Sequence, residues 1–228
     1  MTRWSSTFPG PLSSRPTDES ARPAVGVQPR PPPHLAGALR SCAAMTRHGS
    51  ADRLPTGQGE FRPHSTVEIG DALVPVGIVL TGSPGGIHAI VDTGGLRAVQ
   101  ATTSPHPGLP TDTAPQSNAL LTQAADTSTV EERIYPRRDS HVEGLRAFGA
   151  DIGATGPVTQ VRGVTRLRAA HTQAHDIRAV TALCSAALAT SETSTIRGVY
   201  HLARGYGHLL PNLAALGADT TTAAEALR

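Results

Sequence analysis

From about residue 65 the chain alternates short apolar runs with turn residues. Val74 to Leu80 and Ile87 to Val91 are β-rich stretches separated by Thr81-Gly-Ser-Pro-Gly-Gly86, a pattern that predicts a hairpin with a Gly-rich connection. The glycines raise the question of a phosphate cradle. The Lys-Ser/Thr of a P-loop is missing and the next segment is a strand, so a turn is the better reading.

Beyond the hairpin the pattern repeats. Asp112 opens a helical segment through Asn118-Ala-Leu-Leu-Thr-Gln-Ala-Ala125, followed by Ser128-Thr-Val130, Arg133-Ile-Tyr135, a second helical segment to Phe148 and a closing Gly149-Ala-Asp151. Asp176 opens a matching segment through Thr181-Ala-Leu-Cys-Ser-Ala-Ala-Leu188. Ser194-Thr-Ile196, Gly198-Val-Tyr200, a helical segment to Leu216 and Gly217-Ala-Asp219 then follow. Each unit reads strand, helix, strand, helix, strand. An Asp at the head of the first helix suits the orphan N–H groups there, and a Gly after the second suits a left-handed C′ position. Repeats of this size are supersecondary units sharing one core. The hairpin region, from about residue 65 to 110, is expected to supply part of a third.

Before residue 64 no apolar period exists. Ten of the 19 prolines lie there among Ser, Arg, Gly and Thr. Such a segment buries too little surface to offset ordering entropy, so residues 1–64 are expected to form a disordered tail; residues 221–228 are read as a short C-terminal tail. Pro29-Arg-Pro-Pro-Pro33 fits a polyproline II ligand. A solvated tail, or a wrongly assigned start, is the plainer reading.

Charge and composition narrow the picture further. A formal net charge of +2 makes no electrostatic case for nucleic acid, and 3% aromatics leave Ala, Val, Leu and Ile to build the core. All 20 basic residues are Arg; the chain contains no Lys. Cys42 and Cys184 lack the spacing of a disulfide framework or zinc site, which suggests a reduced, cytoplasmic setting. No apolar run approaches the ~20 residues of a membrane span, and the amino terminus lacks a signal peptide's apolar segment. His171 and His175 have i, i+4 spacing but no adjacent Glu, and their segment reads as a strand end, so no metal is expected. Cys184 sits in an apolar helical run and reads as a buried small residue.

Four strings carry the most specific signal. They are Pro105-His-Pro-Gly-Leu-Pro-Thr-Asp112, Arg133-Ile-Tyr-Pro-Arg-Arg-Asp-Ser-His141, Ala174-His-Asp-Ile-Arg178 and Val199-Tyr-His-Leu-Ala-Arg-Gly-Tyr206. In order and spacing they resemble the carboxyl-terminal domain of the UDP-N-acetylglucosamine 1-carboxyvinyltransferase family of enolpyruvyl transferases, over residues 65–220. The resemblance implies an α/β fold, an inside-out α/β barrel domain of repeated βαβαββ-like units, with helices packed inside and sheets outside. It implies enolpyruvyl transfer from phosphoenolpyruvate to UDP-N-acetylglucosamine in peptidoglycan precursor synthesis, without a cofactor. A different alcohol acceptor, or a non-catalytic half-domain, are the alternatives.

By the same resemblance Asp112 would contact the sugar hydroxyl as its base, and Ile134 would pack against the nucleotide-sugar. Arg138, Arg178 and Arg204 occupy anion-binding positions, and Asp176 is a second acid/base carboxylate. These residue types fit the chemistry: a carboxylate can take a hydroxyl proton, and a guanidinium fork grips carboxylate and phosphate bidentately without losing its charge. Read without the family, Asp112 and Asp176 are helix caps and the arginines are solvated surface groups.

Several positions depart from the family pattern. Ala203 stands where an Asp precedes the last arginine, Thr113-Ala-Pro-Gln116 replaces a Q-x-Q segment, and Tyr135-Pro-Arg137 replaces Phe-Glu-Asn. Nothing in residues 1–64 matches the family's first domain, with its Lys-Asn pair and arginine-bearing loop. A separate chain supplying that domain is the implied partner.

Overall fold

A computed structural model describes residues 24–29, 72–83, 86–105, 108–215 and 218–223. In chain order the strands and helices are β1 (Ala24–Pro29), β2 (Ile78–Ser83), β3 (Gly86–Val91), β4 (Gln100–Thr102), α1 (Ala114–Leu121), β5 (Asp126–Glu131), α2 (Val142–Ala147), β6 (Asp151–Thr155), β7 (Val158–Gly163), β8 (His171–Gln173), α3 (Ile177–Leu188), β9 (Ser194–Arg197), α4 (Leu209–Ala215) and β10 (Ala218–Ala223). Two 3₁₀ segments, Thr111–Thr113 and Val199–Arg204, precede α1 and α4. The fold is α/β with mixed sheets.

Two helices form the centre. In α3 every residue from Ala179 to Leu188 is buried, so the helix is enclosed on all sides rather than amphipathic. Helix α1 is nearly as enclosed, and the two pack against each other. Their Ala-rich surfaces allow that approach, and a hydrogen bond from Gln116 Nε2 to Thr181 Oγ1 (2.6 Å) crosses the contact. On its other side α1 meets β5 and β7, whereas α3 meets β1 and β9. The core is built from Ala, Leu, Val and Ile with the fully buried Phe148, as the lean aromatic content predicts.

The repeat is visible in the two four-stranded sheets. One has the order β4-β5-β7-β6, with β4 parallel to β5 and the remaining pairs antiparallel. The other has the order β8-β9-β1-β10, again with one parallel pair, β8 to β9, and two antiparallel pairs. Strand β8 corresponds to β4, β9 to β5 and β10 to β6. The place of β7 is taken by β1, from the far amino-terminal side of the sequence.

That arrangement corrects the expectation for residues 1–64. Residues 24–29 are not a disordered tail; they are an interior strand paired on both edges. Six residues with two Val carry too little signal alone, and their partners lie some 170 to 200 positions away, so no local period reveals them. The expected tail at 221–228 is likewise corrected at its start, where Thr221, Thr222 and Ala223 complete β10. The other residues of both segments, including most of the Pro-rich run from Pro29, lie outside the described residues.

The predicted hairpin is present as β2 paired antiparallel with β3. Its first strand begins at Ile78, after a turn in which the Gly77 amide donates to the Val74 carbonyl (3.0 Å). The hairpin is a two-stranded sheet of its own and, among the described residues, does not form a third unit. No helix among the described residues is long and apolar enough to cross a membrane.

Glycine at the end of α2 behaves as predicted. Gly149 has φ +85°. Its amide donates to the Arg146 carbonyl (2.8 Å), and the Ala150 amide donates to that of Leu145 (3.2 Å). This pair of bonds satisfies the terminal carbonyls of the helix and turns the chain into β6.

Candidate functional site

The two repeat-opening aspartates have different roles. Asp176 is the N-cap of α3: its Oδ1 accepts from the amides of Arg178 (2.7 Å) and Ala179 (2.9 Å). Its Oδ2 accepts from the Ser140 hydroxyl. Burial alone would push its pKa up, but these three donors and the Arg178 charge together hold it below the ordinary value. Asp112 makes no capping bond. It lies in the 3₁₀ segment before α1, and Pro115 in the first turn of that helix removes an amide a cap would use.

Freed from capping, the Asp112 carboxylate gathers the arginines. Arg178 donates from Nε to Oδ1 (3.0 Å) and from Nη2 to Oδ2 (2.6 Å), a bidentate fork. Arg138 donates from Nη1 to the same Oδ1 (2.7 Å). The Arg178 hydrogen bonds, assisted by those of Arg138, hold the Asp112 pKa below its usual range against the opposing effect of burial. The Asp112 side chain is 47% exposed, while those of Arg138 and Arg178 are 17% and 33% exposed. Two guanidiniums therefore share one carboxylate at a surface open to solvent.

Arg138 is held by two further contacts. Its Nη1 also donates to Thr111 Oγ1 (2.9 Å), and its guanidinium lies 4.4 Å from the centre of the Tyr135 ring, a cation–π geometry. Thr111 and the turn at Ile134–Tyr135 meet at Glu132, which is only 6% exposed. Its carboxylate accepts from Thr103 Oγ1 (2.7 Å), Thr111 Oγ1 (2.7 Å) and the amides of Ile134 and Tyr135 (2.9 Å each). Ile134 and Tyr135 remain exposed, an apolar edge beside the charged cluster.

The last predicted residue stands apart. Arg204 ends the second 3₁₀ segment and is exposed, and its side chain pairs with no carboxylate among the described residues. Two residues later, Tyr206 lies close enough to Asp112 and Arg178 for both charges to act on its hydroxyl; burial and the Asp112 charge raise its pKa. That segment is brought in by Gly198 (φ +81°), where a Cβ would meet the Ala174 carbonyl oxygen at 2.2 Å. The close approach lets the 3₁₀ segment lie against the residues leading to Asp176. Asp112, Arg138 and Arg178 are thus joined directly, Asp176 and Ile134 adjoin them through Arg178 and Glu132, and Arg204 is on the neighbouring segment. Sequence reasoning missed Thr111, Glu132 and Tyr206. Thr111 and Tyr206 stand inside the quoted strings, whereas Glu132 has no motif to announce it.

Beneath the cluster, His141 is 1% exposed. Its Nε2 lies 2.8 Å from Asn118 Nδ2. Burial lowers its pKa to about 4, against the partial pull of Asp176 and Asp139. Above pH 6.5 His141 is neutral both folded and unfolded, and below it the unfolded chain takes up a proton the folded chain refuses. Stability is therefore expected to fall by roughly 2 kcal/mol between pH 6.5 and pH 5. Urea unfolding at the two pH values checks this, and His141→Gln should remove most of the difference.

Two other sequence features have plain structural explanations. His171 lies on β8 and His175 in the loop after it, both exposed, and no three potential metal ligands cluster among the described residues. Cys184 is fully buried in α3, and burial pushes its thiol up to about 12, which leaves it inert.

The molecule is thus an α/β protein whose repeated units bring one carboxylate and two guanidiniums to a common surface. The chain belongs to the EPSP synthase (3-phosphoshikimate 1-carboxyvinyltransferase) family, whose model matches residues 73–213. It is 44% identical over 133 residues to a UDP-N-acetylglucosamine 1-carboxyvinyltransferase of Magnetococcus marinus, covering 58% of this chain and 32% of that one. It is 38% identical over 157 residues to a protein of the same name in Rhodopseudomonas palustris, covering 69% and 37%. Among solved structures, the enolpyruvyl transferase NikO from Streptomyces tendae superposes with a TM-score of 0.64 at 28% identity, covering 70% of this chain and 37% of NikO. The chain spans about a third of the length of the curated relatives it matches.

Proposed function

We propose that this chain forms the carboxylate-and-arginine wall of an enolpyruvyl transferase cleft that uses phosphoenolpyruvate and UDP-N-acetylglucosamine, at the entry to peptidoglycan precursor synthesis. The observation that carries this reading is the Asp112 carboxylate shared between Arg138 and Arg178. An anionic substrate can take over those guanidiniums and leave the carboxylate free as a base. The architecture we assign is the inside-out α/β barrel, supported by two buried helices packed together with a sheet beyond each.

In the proposed reaction the acceptor hydroxyl oxygen bonds to C2 of phosphoenolpyruvate while C3 gains a proton. Asp112 takes the hydroxyl proton. The resulting tetrahedral ketal then loses phosphate from C2 and a proton from C3, giving the enol ether. Arg138, Arg178 and Arg204 would bind the carboxylate and phosphate, where guanidinium charge stabilises the anions throughout. Ile134 would pack on the nucleotide-sugar. For Asp176 to serve as the second acid or base it must give up its bond from Ser140; in the meantime it fixes the start of α3 and hence Arg178. A reaction fed by these metabolites belongs in the cytoplasm, and a separate chain carrying the family's first domain would supply the opposite wall.

The test is release of inorganic phosphate from phosphoenolpyruvate with UDP-N-acetylglucosamine present, for the chain alone and mixed with a first-domain chain from a relative. Phosphate release that depends on the acceptor supports the reading. No release in either mixture, with no change in melting temperature on adding either ligand, would sink it.

A further inference from the structure

Glu132 is a buried carboxylate with no place in the proposed chemistry, yet three of its four side-chain contacts, from Thr111 and the amides of Ile134 and Tyr135, lead to the groups around Arg138 and Asp112. Its Oε2 accepts the Thr111 proton, so the lone pairs of that hydroxyl are left to receive Arg138 Nη1, which in turn donates to Asp112. Its Oε1 accepts both amides of the turn that presents Ile134 and the Tyr135 ring under Arg138. The same oxygen holds Thr103, whose hydroxyl accepts from the Arg133 amide (2.9 Å) and closes the loop against the end of β4. Among the described residues, no arginine pairs with it. Thr hydroxyls and backbone amides alone satisfy its charge, which is costly unless all the bonds are made.

We infer that Glu132 is the positioning residue of this site, fixing the Thr111 hydroxyl and the 134–135 turn so that Arg138 meets Asp112. It acts through those groups and touches no substrate itself. The inference rests on the functional reading for what Asp112 and Arg138 do, but not for the geometry, which can be tested without turnover.

The measurement is the titration of the Asp112 side-chain carboxyl by carbon-detected NMR in the full chain. Glu132→Gln conserves shape and removes the charge. If Glu132 were only a neighbouring negative charge, its loss would lower the Asp112 pKa. If it positions Arg138, the loosened Arg138 leaves the carboxylate and the pKa rises, by about half a unit or more. Thr111→Val, which deletes the intermediate hydroxyl, should give the same upward shift, and Thr111→Ser should restore the native titration. An Asp112 pKa that falls or stays put in Glu132→Gln overturns the inference. Should that variant not fold, Thr111→Val against Thr111→Ser decides it, equal titrations in the two counting against. No phosphate release with or without the first-domain chain, and no ligand-induced change in melting temperature, with these shifts present, would instead remove the functional reading and leave the positioning role standing.

Discussion

Replacing Asp112 by Asn is expected to slow phosphate release from phosphoenolpyruvate by ~10²–10⁴-fold, the range for a lost general base, while tightening the binding of free phosphate. The two effects have one cause. Both Asp112 oxygens accept from guanidinium donors, so an incoming anion must compete with an internal one. The amide removes the competitor and leaves Arg138 and Arg178 without their shared counter-ion. Because the carboxylate is half exposed, solvent weakens the competition, and a gain of about tenfold in phosphate affinity, or ~1.4 kcal/mol, is the scale to expect. Calorimetric titration with phosphate, native against Asp112→Asn, measures it. Equal affinities in the two proteins would mean that the anion does not use these arginines.

The same competition has a signature in pH. The pKa of Asp112 is held below its ordinary value in the folded protein by Arg178 and Arg138. Its contribution to stability is therefore fully present above the unfolded carboxyl range, near 4, and is lost as the pH falls through the folded value. Bound phosphate neutralises the guanidiniums and should move the Asp112 titration upward. Acid sensitivity from Asp112 thus sets in near pH 4, where the His141 effect, which accumulates from pH 6.5 down to about 4, levels off.

Much of this site is legible in the sequence because its parts are local. Asp176 reads as a cap from its place at the head of an apolar helical run, and it is one. Asp112 occupies the equivalent place in the repeat, yet Pro115 and the 3₁₀ segment divert it to the arginines, a distinction of backbone geometry that spacing does not carry. The meeting of Asp112 with Arg178 depends on α1 packing against α3, two helices about 60 residues apart in sequence. Glu132 is invisible for another reason. A lone Glu after a strand is ordinarily solvated, and only the closure of Thr103, Thr111 and the 134–135 turn around it makes it a buried hub. Strand β1 fails the reading most completely, because its identity comes from partners at the opposite end of the sequence.

That strand supports the last prediction. Deleting residues 1–30 is expected to abolish cooperative unfolding of the remainder. Strand β1 lies between β9 and β10, with partners from Ala24↔Ala223 to Pro29↔Ala218 on one side and from Ala24↔Arg197 to Val27↔Ser194 on the other. It also lies against the buried helix α3. At ~0.5–1.5 kcal/mol net per hydrogen bond, losing both ladders costs an amount comparable to the ~5–15 kcal/mol that holds a typical domain folded. Water would also reach α3, and β10 would lose the strand that joins it to the sheet. A gentler form keeps the chain intact: Val27→Pro removes an amide from an interior strand, where proline is not accommodated, and should lower the unfolding midpoint sharply. Because β1 is continuous with the rest only through a long segment, a synthetic peptide spanning residues 22–31 should restore a cooperative transition to the deleted protein. Since α3 carries Arg178 and begins at Asp176, the same peptide should recover phosphate binding. If the deleted chain unfolds cooperatively with an unchanged midpoint, the second sheet does not need its borrowed strand.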